Sequence, residues 1–345
     1  MHSSHTFDIK STKSQAICNG GSRTIANSDN FPILRGMATY SLKLDKGGIR
    51  EPHWHPNAAE LSYCLSGKAL MTIFGHGATH NTFTIEKDEI AFVPQGFLHH
   101  IENISEEETK FIITFNHEKP EDIGISGSIG SIPNAALDYT FSVKREFFAK
   151  INKPTQDILI GKRSSIAKPE FPNIPNPYKF NLKEEPQIQS KIQSKIQNNG
   201  GTVILANAYS FPILNGLACY SLYLKKGGIR EPHWHPNAAE LDYVINGRAR
   251  MVIFSPGGNI DTFEVGPDQI VFIPTAYFHY IENIGDEELH FAVFFSHEKP
   301  QDIGISGAFG AYSNEVFGAV FNVDPKVFES LPKYQKDLFV VAGGG

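Results

Sequence analysis

"GGIREPHWHPNAAEL" occupies Gly47–Leu61, and the same fifteen residues return unchanged at Gly227–Leu241. Each copy carries two histidines separated by one residue, then a glutamate five positions further on, so a fold that explains one stretch must explain both. Adding 180 to a residue number finds its twin over most of the chain. "NFPIL" at Asn30 meets "SFPIL" at Ser210, "HHIENI" at His99 meets "HYIENI" at His279, and "HEKPEDIGISG" at His117 meets "HEKPQDIGISG" at His297. The register holds as far as Asp157 and Asp337. A constant offset of this length, with no net insertion, means a duplicated domain and not a solenoid of short repeats.

This divides the chain into an N-terminal tail (1–19), a first domain (20–160), a Pro-rich linker (161–199) and a second domain (200–345). The prolines of "KPEFPNIPNPYKF", from Lys168, exclude a long helix and favour an extended strap. "IQSKIQSKIQ", from Ile188, reads as low-complexity linker in preference to a short helix. Within the first copy "ATYSLKL", "ALMTIF", "TFTI", "IAFVP" and "KFIITF" are short, β-rich and bounded by Gly, Asn or Asp. That spacing predicts an all-β sandwich or barrel. Each copy closes with two short helices, over "PNAALDYTFSVKREFFAKI" from Pro133 and "SNEVFGAVFNVDPKVFESL" from Ser313. Asn134 and Asn314 are the expected N-caps of the first helix, and Pro325 suits the start of the second.

A chain of 345 residues, 41% hydrophobic and 20% charged, describes two ordinary globular domains. A formal charge of −6 supplies no basic field, which excludes nucleic acid as a general partner. Cys18, Cys64 and Cys219 are odd in number and unrelated in spacing, so they make neither a disulfide framework nor a zinc knuckle. No run approaches the length of a membrane span, the first fifteen residues are polar, and the expected location is the cytoplasm.

On a strand, His53 and His55 point to one face. Pro56 and Asn57 favour a turn that brings Glu60 back toward it, and His99 arrives from a later strand. Three imidazoles and a carboxylate form a mixed N/O ligand set suited to Mn(II), Fe(II) or another divalent metal, with positions left for substrate, water or oxygen. His233, His235, Glu240 and His279 repeat the set. A divalent ion with one carboxylate leaves net positive charge, which favours an anionic ligand.

Gly47–Gly67 fits the first motif of the cupins, G-x5-H-x-H-x4-E-x6-G, and Pro94–Asn103 fits the end of the second, P-x-G-x2-H-x3-N. The second copy matches as well, with Ala276 for the second-motif glycine; Asp88 and Asp268 stand where that motif usually opens with glycine. The chain as a whole resembles the bicupin oxalate decarboxylases, in "REPHWHPNAAE", in the Pro-rich strap before "GGTVILANAYSFPI" and in the paired terminal helices. The resemblance implies two tandem jelly-roll barrels, two Mn(II) sites, dioxygen as co-catalyst, a small carboxylate substrate and homo-oligomeric assembly. It also assigns substrate binding to Arg50 and Arg230. Strict alternation would turn Arg50 away from His53, so that role rests on the resemblance.

The family's decarboxylation depends on a lid glutamate after the last barrel strand. Here the corresponding stretch is "NHEKPEDIGISGSIG", which puts Asp122 at that position with Glu121 beside it and Glu118 nearby. Glu121 is the favoured proton shuttle, because its twin is Gln301; Gly124, Gly127 and Gly130 would give the segment the flexibility of a lid. His117 and His297 are candidates for lining the mouth, or are surface turn residues. Four readings compete: oxalate decarboxylase, oxalate oxidase releasing peroxide, another cupin dioxygenase or isomerase, and a non-catalytic metal- or ligand-binding cupin.

Overall fold

The computed structural model describes residues 3–164, 176–183 and 195–342. It separates into two compact units, Ser11–Lys183 and Met1–Lys10 with Glu184–Gly345. Each unit is a pair of antiparallel sheets enclosing an apolar core. In the first unit, a seven-stranded sheet runs Lys179–Asn181, Glu89–Val93, Glu60–Ser66, Thr109–Phe115, Ala38–Leu44, Gly21–Ala26, Ala16–Cys18. The facing six-stranded sheet runs Ile123–Gly124, Gly48–Trp54, Leu98–Asn103, Lys68–Phe74, His80–Glu86, with Ile160–Lys162 also on Gly48–Trp54. The second unit repeats this with Gly228–Trp234, Glu240–Asn246, Phe278–Asn283 and Leu289–Phe295 in the equivalent places. All five stretches expected as strands lie in these sheets.

The cores follow from alternation. On Thr109–Phe115, Phe111, Ile113 and Phe115 face the core shared with Leu42, Leu44, Met71 and Ile101; on Leu289–Phe295, Phe291, Val293 and Phe295 do the same. Burial of such side chains stabilises by roughly 1.5–3 kcal/mol each, which lets a sheet of polar-faced strands close into a barrel. Cys64 and Cys219 are buried free thiols whose pKa burial pushes up, so they are packing residues.

Residues 1–19, read as a tail, supply two strands. Thr6–Asp8 pairs with Gln269–Ile273 in the second unit, and Ala16–Cys18 pairs with Gly21–Ala26 in the first. The linker residues do likewise: Lys179–Asn181 pairs with Glu89–Val93, at the register position equivalent to Thr6–Asp8, and Lys195–Asn198 pairs with Gly201–Ala206. Each seven-stranded sheet thus gains an edge strand from outside the repeat, covering backbone groups of Glu89–Val93 and Gln269–Ile273 that would otherwise lie open. Of the "IQSKIQSKIQ" stretch, residues 188–194 lie outside the described residues.

The helical caps need two corrections. The helix Asn134–Thr140 begins at Asn134, with Pro133 at the cap and no side-chain bond there. Asn314–Phe321 is capped by Ser313, whose hydroxyl accepts from the amide of Val316, so the capping residue is one position earlier than expected. Pro325 opens a 3-10 turn, Pro325–Phe328, and Asp324 caps it.

The segment expected as a flexible lid is also structured. Ile123–Gly124 pairs with Trp54 and His53, and Ile125–Ser131 is a helix. Its glycines serve close approach: a Cβ on Gly124 or Gly127 would meet the Asp157 carboxylate, at 2.5 and 2.4 Å, and one on Gly130 would meet the Pro154 carbonyl at 1.9 Å. Asp157 accepts from the amides of Gly124 (2.7 Å) and Gly127 (3.0 Å), and Glu51 from that of Ser126 (3.0 Å). Small residues let two carboxylates satisfy the first amides of that helix.

Candidate metal and substrate sites

The first site is built on the strand Gly48–Trp54, and the sequence departs from simple alternation there. His53 lies opposite His99, yet Arg50 lies opposite Ile101, so three residues of one strand span two of the other. The bulge coincides with Pro52, which has no N–H to give to the ladder. Its effect is to turn both Arg50 and His53 inward, where they are 3% and 2% exposed. Arg230 and His233 repeat the arrangement against Ile281 and His279. His55 lies just past the strand end, the turn at Pro56–Asn57 reverses the chain, and Glu60 opens the next strand facing back.

His53, His55, Glu60 and His99 are all buried, with one ligand atom from each lying within 4.8 Å of the others; His233, His235, Glu240 and His279 form the second such cluster. In both, every Nδ1 is engaged by a backbone carbonyl. His53 bonds Glu51 O (2.7 Å), His55 bonds Glu121 O (2.7 Å), and His99 bonds Phe97 O (2.9 Å). The second site uses Glu231, Gln301 and Tyr277 at 2.7, 2.8 and 2.8 Å. A carbonyl only accepts, so each Nδ1 carries the hydrogen and each Nε2 turns a lone pair inward.

That leaves acceptors facing acceptors. His233 Nε2 lies 3.2 Å from His235 Nε2, while His279 Nε2 and Glu240 Oε2 are buried without a hydrogen-bond partner. Such a cluster is costly unless a cation sits among its lone pairs, and three neutral imidazoles with one carboxylate match a hard or borderline divalent metal. Burial, then Arg50, holds the His53 pKa well below its ordinary value; burial and Arg230 do the same for His233, so both rings are neutral ligands. Burial would raise Glu60, but His99 and His55 outweigh it and keep the carboxylate ionised.

Beside each cluster is a small cavity, lined by Arg50, Tyr40 and Ile101 in the first unit and by Arg230, Tyr220 and Ile281 in the second. Arg50 enters the first, anchored by its Nη1 to Leu159 O at 3.1 Å, and its Nη2 donates to Asp122 Oδ2. Arg23 Nη1 reaches the same Asp122 oxygen at 2.6 Å. Burial pushes Asp122 up, but Arg50, His55 and Arg23 bring it below the usual carboxylate range. Glu121 points the other way: its side chain is exposed, its carbonyl orients His55, and its amide donates to Asn57 Oδ1 at 2.8 Å. The structure therefore ties the Asp122 carboxylate, and not that of Glu121, to the two arginines that line the first cavity. Glu118 accepts from the amide of Gly36 at 2.9 Å, away from the ligands. His117 and His297 accept from the amides of Lys119 and Lys299, two residues on, and are turn residues.

Several residues escaped the sequence reading. Glu51 and Glu231 fasten the chain returning from the helices by accepting from the amides of Leu159 (2.6 Å) and Phe339. Ser62 donates to Glu60 Oε1 at 2.6 Å, orienting it. Arg23 lines the cavity through ordinary alternation on Gly21–Ala26, and the offset of 180 would have exposed it, since its twin is Val203.

A duplicated jelly roll with a His3Glu cluster in each copy defines a bicupin. The family model described as Cupin matches residues 7–147 and 187–329, and the chain belongs to that family. Its two-domain form is the one shared with oxalate decarboxylases. The chain is 28% identical over 284 residues to oxalate decarboxylase OxdC of Bacillus subtilis, covering 80% of this chain and 71% of that protein. It is 27% identical to a probable oxalate decarboxylase of Arthroderma benhamiae, covering 88% and 75% respectively. The structure of the Bacillus subtilis enzyme at pH 4.6 superposes with a TM-score of 0.87 at 25% identity, over 100% of this chain and 89% of the other. A further structure of that enzyme, with a TM-score of 0.87 at 25% identity over 100% of this chain and 90% of the other, concerns its Mn(II) centres. Among the described residues no helix is long and apolar enough to cross a membrane.

Proposed function

We propose that the protein is a Mn(II)-dependent decarboxylase that converts oxalate to formate and carbon dioxide, with dioxygen as co-catalyst. The observation that carries this reading is the bulge at Pro52 and Pro232, which sets one guanidinium on the same face as four metal ligands in each unit. His53, His55, Glu60 and His99, and their twins His233, His235, Glu240 and His279, would hold the two ions. Bound Mn(II) would supply positive charge for an anionic substrate and a redox partner for dioxygen. Arg50 and Arg230 offer carboxylate oxygens a fixed fork, and their burial strengthens that attraction relative to water. Cleavage of the C–C bond releases carbon dioxide and requires a proton at the remaining carbon; Asp122, ionised while Arg50 and Arg23 hold it, would take up a proton once substrate displaces it from them and deliver that proton in the first unit.

The two domains, 20–160 and 200–345, would assemble with further copies of the chain in the cytoplasm, where three unpaired thiols are at home. Oxalate oxidation to carbon dioxide and hydrogen peroxide is the second reading. It is favoured by one observation, that Glu121 is exposed and Asp122 is bound to two arginines. The deciding test is to give Mn-loaded protein labelled oxalate in air at mildly acidic pH and measure formate and peroxide together. Formate well in excess of peroxide is the expected outcome. Peroxide without formate would establish the oxidase, and neither product from metal-loaded protein would remove oxalate as the substrate.

A further inference from the structure

Asp122 Oδ2 is shared by two guanidinium groups. Arg23 Nη1 lies 2.6 Å from it, and Arg50 Nη2 donates to the same atom. The pairing is incomplete: Asp122 Oδ1 and Arg23 Nε are both buried with no partner. Arg23 is only 13% exposed at its side chain, and its guanidinium lies over the Tyr40 ring with its carbon 5.1 Å from the centroid. Two forks held by packing and converging on one oxygen form a built anion seat, with donor capacity left over after Asp122 has been served.

The second unit has no such seat. Val203 stands at the Arg23 position. Arg230 alone donates to Asp302 Oδ2, with its guanidinium carbon 3.6 Å from the centre of the Phe339 ring, where the first unit has Leu159. An aromatic roof and an isopropyl wall replace the second guanidinium. The second unit also adds a carboxyl group, Asp242, at the position of Ser62. The exchange of Arg23 for Val203 shifts the first cavity toward positive charge relative to the second.

We propose that Arg23 is a substrate-binding, specificity-determining residue that makes the first site selective for a dicarboxylate, with Asp122 occupying the two-arginine seat until a substrate carboxylate displaces it. Resting on the reading of a carboxylate substrate, this differentiates the two units. The first discriminates in favour of a second carboxylate, and the second accepts a monoanion nearly as well. The backbone on either side of Asp122 is held by the Glu121 amide and by the pairing of Ile123 with Trp54, so the displacement proposed is one of the side chain.

The test is calorimetric titration of Mn-loaded, oxygen-free protein with oxalate and, separately, with formate. Wild type is compared with Arg23→Val, with Arg23→Gln in case the smaller side chain disturbs folding, and with Val203→Arg. Metal content and thermal melting are checked for each. Losing one charge-assisted pair corresponds to roughly 10–100-fold in affinity, so Arg23→Val and Arg23→Gln should weaken oxalate at one of two sites by that factor. Formate should change by only a few-fold, and Val203→Arg should tighten oxalate at the other site. Unchanged oxalate affinity in both Arg23 variants would overturn the proposal, as would equal losses for formate and oxalate, or no oxalate binding by the wild type. These outcomes are independent of turnover. A wild type that binds oxalate with the expected preference yet forms no formate would sink the decarboxylase reading and leave the two-arginine seat standing.

Discussion

Arg23 and Val203, Ser62 and Asp242, Leu159 and Phe339 occupy the same places in the two units, yet none of these pairs is chemically alike. The metal ligands beside them are identical, as are their tethers: three Nδ1–carbonyl bonds of 2.7–2.9 Å in each copy. Duplication has thus kept the cluster and changed its walls. In the first unit the Ser62 hydroxyl donates to Glu60. In the second, neither Asp242 oxygen has a donor, and burial and Glu240 push its pKa well above the usual carboxylate range. Ser62 and Asp242 thus give the same ligand position two different neighbours. Similarity of the metal centres therefore does not make the two sites equivalent, because the side chains around each centre differ one layer out.

The strongest way to break the comparison is to disable one cluster at a time. Replacing His55 with Ala, or His235 with Ala, removes a ligand and strands the carbonyl of Glu121 or Gln301. Each variant should retain one metal ion per chain instead of two, because removing a ligand outright costs more than the roughly 10–100-fold lost when only a ligand's tether is changed. Metal analysis together with formate production then assigns turnover to a unit. If Asp122 supplies the proton, His55→Ala should abolish most of the activity and His235→Ala should spare much of it. Equal losses would show that the changed walls do not decide which site turns over.

A smaller effect is expected from Arg50→Lys and Arg230→Lys. Lysine keeps the charge and loses the fork, including the bond to Leu159 O or Phe339 O that aims it. An increase in KM of roughly 10-fold, with less change in kcat, corresponds to one lost charge-assisted bond. A larger penalty for Arg50→Lys than for Arg230→Lys would place the working site in the first unit.

Asp157→Asn probes the segment that carries Asp122. The carboxylate receives the amides of Gly124 and Gly127, and an amide side chain cannot accept from both with the same strength. A loss of about 1–2 kcal/mol on thermal or urea unfolding is expected, with faster hydrogen exchange at residues 124–131. No change in exchange there would mean that the neighbouring Glu51 bonds suffice.

Much of this was legible in the residues alone. The duplication, the strands and the eight ligands follow from a constant offset and from the ligand spacing around "HWHPNAAE". Arg50 was legible only as a resemblance, since period-two alternation pointed it outward. The bulge that reverses it depends on pairing with Leu98–Asn103, a strand some fifty residues away. The packing of the lid segment was hidden for a related reason. Three glycines in seven residues read as flexibility, whereas their role is to admit Asp157 and Pro154, which approach from a later part of the chain. The edge strands at Thr6–Asp8 and Lys179–Asn181 were missed because a strand of three residues has no periodicity to show; the partner supplies the order.

The smallest expected effect concerns Ala276, which stands where the first copy has Gly96. Both residues adopt left-handed backbone, with φ of 64° and 77°, and both amides donate to the carbonyl of the preceding site histidine, His235 or His55, at 3.0 Å. Glycine reaches this region freely, while alanine brings its Cβ close to the carbonyl oxygen at a cost of roughly 1–2 kcal/mol. Glycine in turn loses more chain entropy on folding, which offsets part of that difference. The net expectation is that Ala276→Gly stabilises the protein by about 0.5–1 kcal/mol and that Gly96→Ala destabilises it by a similar amount. Reciprocal melts of the metal-loaded variants measure both. A stabilising Gly96→Ala would mean that the turn yields to the methyl group. Opposite signs would show that the second copy tolerates a strained turn to keep His235 bonded at its metal cluster.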